Sequence, residues 1–312
     1  MFSQALTVRA DSIARHLETV FLFTKNDVRT TLIPVTIFAL SVAPRYDTTH
    51  AWHAPLWIWF HLLQFNIANQ IQDPEEDRKN KPSRPIPAGR ISVDSAADMR
   101  WVMIPVCLLL SLWHGTQALL ASTVFAALTI WYNELHGDKM GLSKNVLTAI
   151  LGGCLEVGAT VAAGPHNSCI DKAGALAVTL SSTVFATTLH AQDFKDEEGD
   201  RLTGRRTLPT IFPKAARFSM MFGIPLWSYG LSCIWKLDAL STTAFVVYGA
   251  FVGTRFVMYN RVGADKQSCK FYSVSRNITL EHTKVKLTTD LYQLWYALAH
   301  LLPGYWRFFY GV

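Results

Sequence analysis

Asn69, Asp73 and Asp77 stand four residues apart at the end of an apolar run that begins near Trp52. On a continuous helix that spacing stacks three side-chain oxygens on one face. Far downstream, Asp193, Asp196 and Asp200 again follow an apolar run, with Asp196 and Asp200 in i, i+4 register and Asp193 one turn earlier. Like charges that close repel one another unless a cation neutralises them. Each acidic set leads into a basic loop, NKPSRPIPAGR after the first and RLTGRRTLP after the second. Asn and Asp oxygens suit Mg²⁺, a hard cation commonly held by one or two carboxylates together with substrate phosphate oxygens. Arginine suits bidentate contact with phosphate. Lys81, Arg84 and Arg205 are therefore the expected diphosphate contacts, with Arg201 and Arg206 beside the second set. The chemistry these types and spacings imply is metal-assisted handling of a polyphosphate.

Pro74 fits the first position of a new helical turn with Asp73 as its cap. The first cluster thus predicts a break at Asp73, with Glu75 and Glu76 in the turn beyond it. Broken helices at membrane depth usually line a polar cavity.

The elements that must carry these clusters are membrane helices. Half of the residues are hydrophobic and 17% are charged, where a soluble domain carries about 25%. Mean hydropathy is +0.18, and the apolar residues recur in runs of membrane-spanning length. Spans are expected at 30–44, 52–72, 99–114, 117–135, 143–164, 172–192, 213–235, 241–260 and 284–303. This makes an all-α, multi-pass membrane bundle of nine transmembrane helices, with residues 1–312 forming one domain in the lipid bilayer. With the N-terminus in the cytosol, only Arg45, Lys172, Lys236 and Arg307 of the 29 Lys and Arg fall on the far side. Such asymmetry is the positive-inside pattern, and it places both acidic sets on the cytosolic side.

A net charge of +6 does not point to a nucleic-acid partner, because the basic residues are spread over many short loops. The five cysteines show no CxxC pair and no Cys/His ligand spacing. The start lacks a basic stretch followed by an apolar core, so no cleavable signal peptide is expected. Residues 1–29 read instead as a cytosolic amphipathic segment, with Ile13, Leu17, Val20 and Phe21 on one face for resting on a membrane surface. The sequon at Asn277, in the polar loop 263–283, falls on the cytosolic side and is expected to carry no sugar.

The first motif, Asn69-x-x-x-Asp73-x-x-x-Asp77 followed by Asn80-Lys81-Pro82 and Arg84-Pro85, resembles that of the UbiA superfamily of membrane prenyltransferases. Asp196-x-x-x-Asp200, followed by Gly204 and Thr207-Leu208-Pro209, resembles its second motif, with Asp193 where many members also have an acid. The resemblance implies a nine-helix bundle around a central cavity, where Mg²⁺ held between the two Asp motifs assists ionisation of an allylic diphosphate. Tyr132 and Asn133 resemble a fourth-helix feature, often Tyr-Ser with a nearby Lys, here with Asn in place of Ser and no Lys close behind. An allylic cation needs a dry pocket lined by π faces. Phe65, Trp59, Phe125, Phe185, Tyr292, Trp295 and Tyr296 are the candidates, with Phe65 and Tyr292 taken as substrate contacts.

The wording of the motifs, NQIQDPEED with NKPSRPIPAGRIS and then HAQDFKDEEGDRLTGRRTLP, is similar to a fungal branch that holds both cyclases and transferases. The expected activity is that of a class I-type terpene cyclase, which ionises farnesyl or geranylgeranyl diphosphate and closes the cation to a terpene. The alternative is a prenyltransferase that attaches the chain to an aromatic or other acceptor. A transporter is the reading from another class, since intramembrane acids often mark ion paths. Those acids lie near the midplane, whereas these lie at helix ends. The expected location is the endoplasmic reticulum membrane, with the site facing the cytosol.

Overall fold

The computed structural model describes residues 2–43, 49–137, 141–195, 197, 201, 206–258 and 291–310. Among them the regular elements are all helices. Asp196, Asp200, Arg205 and the segment 263–283 with Asn277 lie outside the described residues.

Helix α1 (Phe2–Thr24) leaves Ile13, Leu17 and Phe21 exposed in i, i+4, i+8 register, as the amphipathic reading predicts. Its end is fastened to α3 (His53–Gln70), with Trp59 Nε1 donating to Thr24 Oγ1 over 3.0 Å and Gln70 Nε2 to the Phe23 carbonyl over 3.2 Å. Val20 turns inward toward the buried Phe23 instead of joining the outer stripe. Helix α2 (Ile33–Val42) alone rises only about 15 Å and is preceded by a five-residue π segment, Val28–Leu32.

After α3 come the short α4 (Pro74–Asn80), then α5 (Val93–His114), α6 (Thr116–Asn133), α7 (Gly141–Ala163) and α8 (Lys172–Thr188). Helix α8 continues as a 3₁₀ segment, Leu189–Lys195, and a single turn at Leu208–Ile211 follows. The chain closes with α9 (Pro213–Ile234), α10 (Ala239–Met258) and α11 (Leu291–Tyr310). Four stretches are by themselves long and apolar enough to cross a bilayer: Val93–His114, Ser143–Ala163, Lys172–Phe194 and Ala239–Met258.

Two boundaries differ from the sequence expectation. Helix α5 starts at Val93, not at 99, because Ser92 caps it by accepting from Ser95 N–H at 3.1 Å. Arg100, a residue that would end a span, is fully buried inside α5 with its guanidinium 3.2 Å from Glu134. The last helix runs on to Tyr310 instead of ending at 303, with Pro303 inside it. Arg307, read as a tail residue, is helical because Asp171 takes both of its terminal nitrogens, at 2.9 and 2.6 Å.

Association of helices in lipid rests on close packing and interhelical hydrogen bonds instead of water exclusion. Trp57 shows both. It is buried, donates to Ser111 Oγ at 2.9 Å and stacks on His61 at 3.6 Å. Its ring lies directly on Gly158 of α7, where any Cβ would overlap it. Trp57 centres one core with Val35, Phe125, Leu151 and Ala159, joining α2, α3, α6 and α7. A second core joins α2 to α8 and α9–α11 through Phe38, Val184, Met220, Phe256 and Trp295. Helices α9 and α10 touch backbone to backbone, since a Cβ on Gly253 would stand 2.7 Å from the Met220 carbonyl oxygen.

Candidate active site

The first acidic motif is built by the break that Pro74 imposes. Helix α3 ends at Gln70, and Asp73 caps α4 by accepting from Glu76 N–H at 3.1 Å, with Pro74 at the first helical position. Asp73 stays exposed, while the new helix carries Asp77 inward to 8% exposure. Asp77 accepts from Arg84 Nη1 at 2.5 Å and lies 3.9 Å from Lys81 Nζ. The loop that brings Arg84 back is folded by its own backbone bonds, Arg84 N to the Lys81 carbonyl and Arg90 N to the Pro85 carbonyl, both at 3.0 Å. Gly89 turns it with φ of +67°, a left-handed value that glycine adopts without strain.

Arg84 Nε is buried and has no hydrogen-bond partner among the described residues. A buried guanidinium N–H left unpaired is costly, and an anionic oxygen is the partner that would satisfy it. Asp27 lies on the same side, accepting from Asn66 Nδ2 at 2.8 Å and from Thr30 at 3.3 Å. Burial raises its carboxyl above the ordinary range, opposed by the Asn66 hydrogen bond and by the charges of Arg84 and Lys81. Sequence spacing does not single out Asp27, because Asn66, Lys81 and Arg84 reach it from elements far along the chain.

Asn69 and Asn133, expected from different motifs, are brought together: Asn69 Nδ2 donates to Asn133 Oδ1 at 3.3 Å, and Asn133 in turn donates to the Thr129 carbonyl at 3.0 Å. Beneath them Tyr132 is buried with its ring 5.4 Å from Phe65, which lies 6.4 Å from Phe125. On the other side Tyr292 hydrogen-bonds Thr188 Oγ1 at 2.7 Å, its ring is 6.4 Å from that of Tyr296, and Tyr296 stacks on Phe185 at 5.5 Å. Two expected aromatics stand elsewhere. Trp59 is turned to Thr24 and Phe60, since its face of α3 meets α1. Trp295 is held by Ser228 Oγ at 2.7 Å and stacks on Phe245, so it belongs to the packing against α9 and α10.

The second motif begins at the end of α8. Asp193, 6% exposed, receives Lys144 Nζ at 2.7 Å from the first turn of α7. His190 Nε2 lies 3.0 Å from Ser219 Oγ, and Arg217 covers the Phe194 ring at 4.6 Å, so the 3₁₀ segment is fixed against α9. Sequence reasoning does not single out Lys144. It enters from the next helix, and its only sequence signal is a single lysine ahead of an apolar run.

Among the described residues no group of three His, Cys, Asp or Glu stands together to hold a metal ion, and the first motif supplies oxygen donors of the type a hard divalent cation takes. Among the described residues Asn69 bonds through its amide nitrogen and not its carbonyl oxygen, and Asp73 uses Oδ1 in its cap. Oxygen donors of this kind, with an unpaired arginine N–H alongside, suit Mg²⁺ and a phosphate oxyanion together.

The comparisons with known proteins agree in kind. The model of the UbiA prenyltransferase family matches residues 31–274. The chain is 32% identical over 231 residues to the fumagillin beta-trans-bergamotene synthase of Aspergillus fumigatus, covering 74% of this chain and 79% of that protein. It is 28% identical over 275 residues to the diterpene cyclase eriG of Hericium erinaceus, covering 84% and 86%. The polyprenyl transferase eriF of the same organism is 26% identical over 283 residues, covering 84% and 92%. Among solved structures, a digeranylgeranylglyceryl phosphate synthase superposes with a TM-score of 0.65 at 20% identity, covering 91% of this chain and 98% of that one. A UbiA homologue from Archaeoglobus fulgidus bound to DMAPP and Mg²⁺ gives 0.59 at 14% identity, again covering 91% and 98%. At these identities the two structures establish the shared fold.

Proposed function

The chain belongs to the UbiA prenyltransferase family, and from that membership we propose that it is a membrane terpene cyclase that ionises farnesyl or geranylgeranyl diphosphate. The observation that carries the choice of reaction is the likeness to two cyclases, at 32% and 28% identity over most of the chain. In this reading residues 1–312 are one domain of nine membrane-spanning helices around a cavity, in the endoplasmic reticulum membrane with the site open to the cytosol.

Asn69, Asp73, Asp77, Asp196 and Asp200 would hold Mg²⁺, with Asp193 positioned beside them by Lys144. When bound, Mg²⁺ supplies the positive charge that makes diphosphate a good leaving group. Support for such a role comes from the UbiA homologue solved with DMAPP and Mg²⁺. Arg84, with its unpartnered Nε, and Lys81 and Arg205 hold the diphosphate oxygens and stabilise the charge that develops on them. Phe65 and Tyr132 from α3 and α6, and Tyr292, Tyr296 and Phe185 from the opposite wall, offer ring faces to the cation. A cyclase needs no acceptor hydroxyl, only a shaped dry cavity and a final proton loss.

The test is to incubate membranes containing this chain with each prenyl diphosphate alone and analyse the extract by gas chromatography. Hydrocarbon formed without an acceptor supports cyclisation; strict dependence on an added acceptor overturns it. Transfer to an acceptor is the second reading, favoured by the similarity to a polyprenyl transferase over 283 residues.

A further inference from the structure

A hard cation takes oxygen donors and gains nothing from an N–H. An asparagine amide carries both, a carbonyl that accepts and an NH₂ that only donates, on a nearly symmetric fork. Asn69 can therefore serve a cation only if something decides which end it presents. Asp73 and Asp77 have no such ambiguity, because both ends of a carboxylate are oxygens.

A chain of two amides makes that decision. The Thr129 carbonyl of α6 can only accept, and Asn133 gives it an Nδ2 hydrogen at 3.0 Å. With its amide so fixed, Asn133 offers Oδ1 to its neighbour and takes an Asn69 Nδ2 hydrogen at 3.3 Å. The Asn69 carbonyl oxygen is left as the end that Asn133 does not engage. Asn69 stands in the last turn of α3 and keeps part of its surface exposed, whereas Asn133 is buried.

The end of α6 is itself held. Glu134 continues the helix through its N–H to the Ile130 carbonyl at 2.9 Å, and its Oε1 lies 3.2 Å from both Nε and Nη2 of the fully buried Arg100 in α5. Asn133 thus meets Asn69 from a helix end pinned against a third helix. A serine, the type that often follows the tyrosine in the family feature, is one bond shorter. In a helix its hydroxyl bonds the carbonyl four residues back, so it cannot hold both partners as Asn133 does.

We propose that Asn133 is a positioning residue, which sets the Asn69 amide so that its carbonyl oxygen is the end available to Mg²⁺. The assignment rests on the metal reading of the first motif given above. It moves Asn133 from the substrate contact that Tyr132-Asn133 suggests in sequence to a role exerted through Asn69. Without Asn133 the Asn69 amide is free to present its N–H groups instead. Cation affinity then falls, while the diphosphate contacts of Arg84 and Lys81 stand.

The experiment titrates Mg²⁺ into the purified full chain, with inorganic diphosphate at fixed concentration and no prenyl chain, and follows the melting temperature. In Asn133→Ala the Mg²⁺ concentration at half of the shift rises by about tenfold or more. The KM for prenyl diphosphate, measured at saturating Mg²⁺, stays within about threefold. Asn69→Asp alone sets a carboxylate against the Asn133 oxygen and weakens Mg²⁺ by about tenfold. Combined with Asn133→Ala, it returns the midpoint to within about threefold of wild type, because the orientation of a carboxylate no longer matters. A merely structural loss gives no such rescue. An unchanged midpoint in Asn133→Ala overturns the assignment, and so does Asn69→Asp acting equally in both backgrounds. If Asn133→Ala does not fold, Asn133→Ser decides on the same readout, alone and with Asn69→Asp. Wild-type protein whose melting temperature ignores Mg²⁺ and diphosphate overturns the metal reading itself, seen before any variant is made.

Discussion

Lys144 Nζ sits 2.7 Å from Asp193 Oδ1, joining the first turn of α7 to the 3₁₀ segment in which α8 ends. Both side chains are largely buried, at 18% and 9% exposure. The pair therefore holds the backbone that leads directly to Asp196.

Replacing Lys144 by Met leaves Asp193 charged and uncompensated. The expected cost is about 1–3 kcal/mol, between the limits for exposed and buried pairs. Diphosphate release is expected to fall by at least about tenfold through displacement of the neighbouring carboxylates. Thermal melting in detergent and initial rates check the two effects separately, and Lys144→Arg should retain most of both.

Asp73 serves two purposes that a pair of variants can separate. Asn caps a helix about as well as Asp, whereas Ala loses about 1 kcal/mol. Asp73→Asn is expected to keep the wild-type melting temperature yet lose activity by about 100-fold or more, because the charge is gone. Asp73→Ala loses activity and some stability. Near wild-type rates in Asp73→Asn would remove this carboxylate from the proposed metal site.

Chelation offers a direct check on the metal. EDTA should abolish diphosphate release, and Mg²⁺ in excess should restore it without refolding, because the proposed ligands Asn69, Asp73 and Asp77 lie at the ends of helices formed by their own backbone bonds and caps. Release that persists after exhaustive chelation would rule out a divalent ion.

The break at Asp73 was legible because proline and aspartate carry local rules that hold in any context. The runs that became α7, α8 and α10 were legible because each is apolar over a bilayer's depth. What could not be read were features set by partners distant in sequence. Lys144 gains its role from Asp193, on another helix. Glu156 and His300, each isolated in an apolar run, meet at Ser181 of a third helix. The end of α11 was misplaced for the same reason: Arg307 stays helical through its bond to Asp171, 136 residues earlier.

That bond has a definite pH signature. Arg307 beside Asp171 holds the carboxyl below its usual range, helped by the Gly174 N–H, which Asp171 caps. A carboxyl depressed in the folded state contributes stability above its unfolded value of about 3.9, and loses it as pH falls through the folded value. Asp171→Asn keeps the cap. Its melting temperature should therefore lie below wild type at neutral pH, with the gap closing only under acid conditions. A gap independent of pH would show that charge is not the cause.

Gly158 is required by contact, not by backbone conformation. A methyl group there overlaps the buried Trp57 ring, so Gly158→Ala should destabilise by about 1–3 kcal/mol. Gly223, whose Cβ would meet nothing within 4 Å, is the control. Gly223→Ala should melt no lower than wild type, and equal losses in both would contradict the packing argument.

The loop carrying Arg84 is fastened at its far end to α1, where Arg90 pairs with Glu18 and reaches Thr19 Oγ1 at 3.2 Å. The same helix turns Ile13, Leu17 and Phe21 outward. Whatever supports that stripe also steadies the loop of the arginine, so under the proposed function the catalytic rate should answer to headgroup packing and curvature.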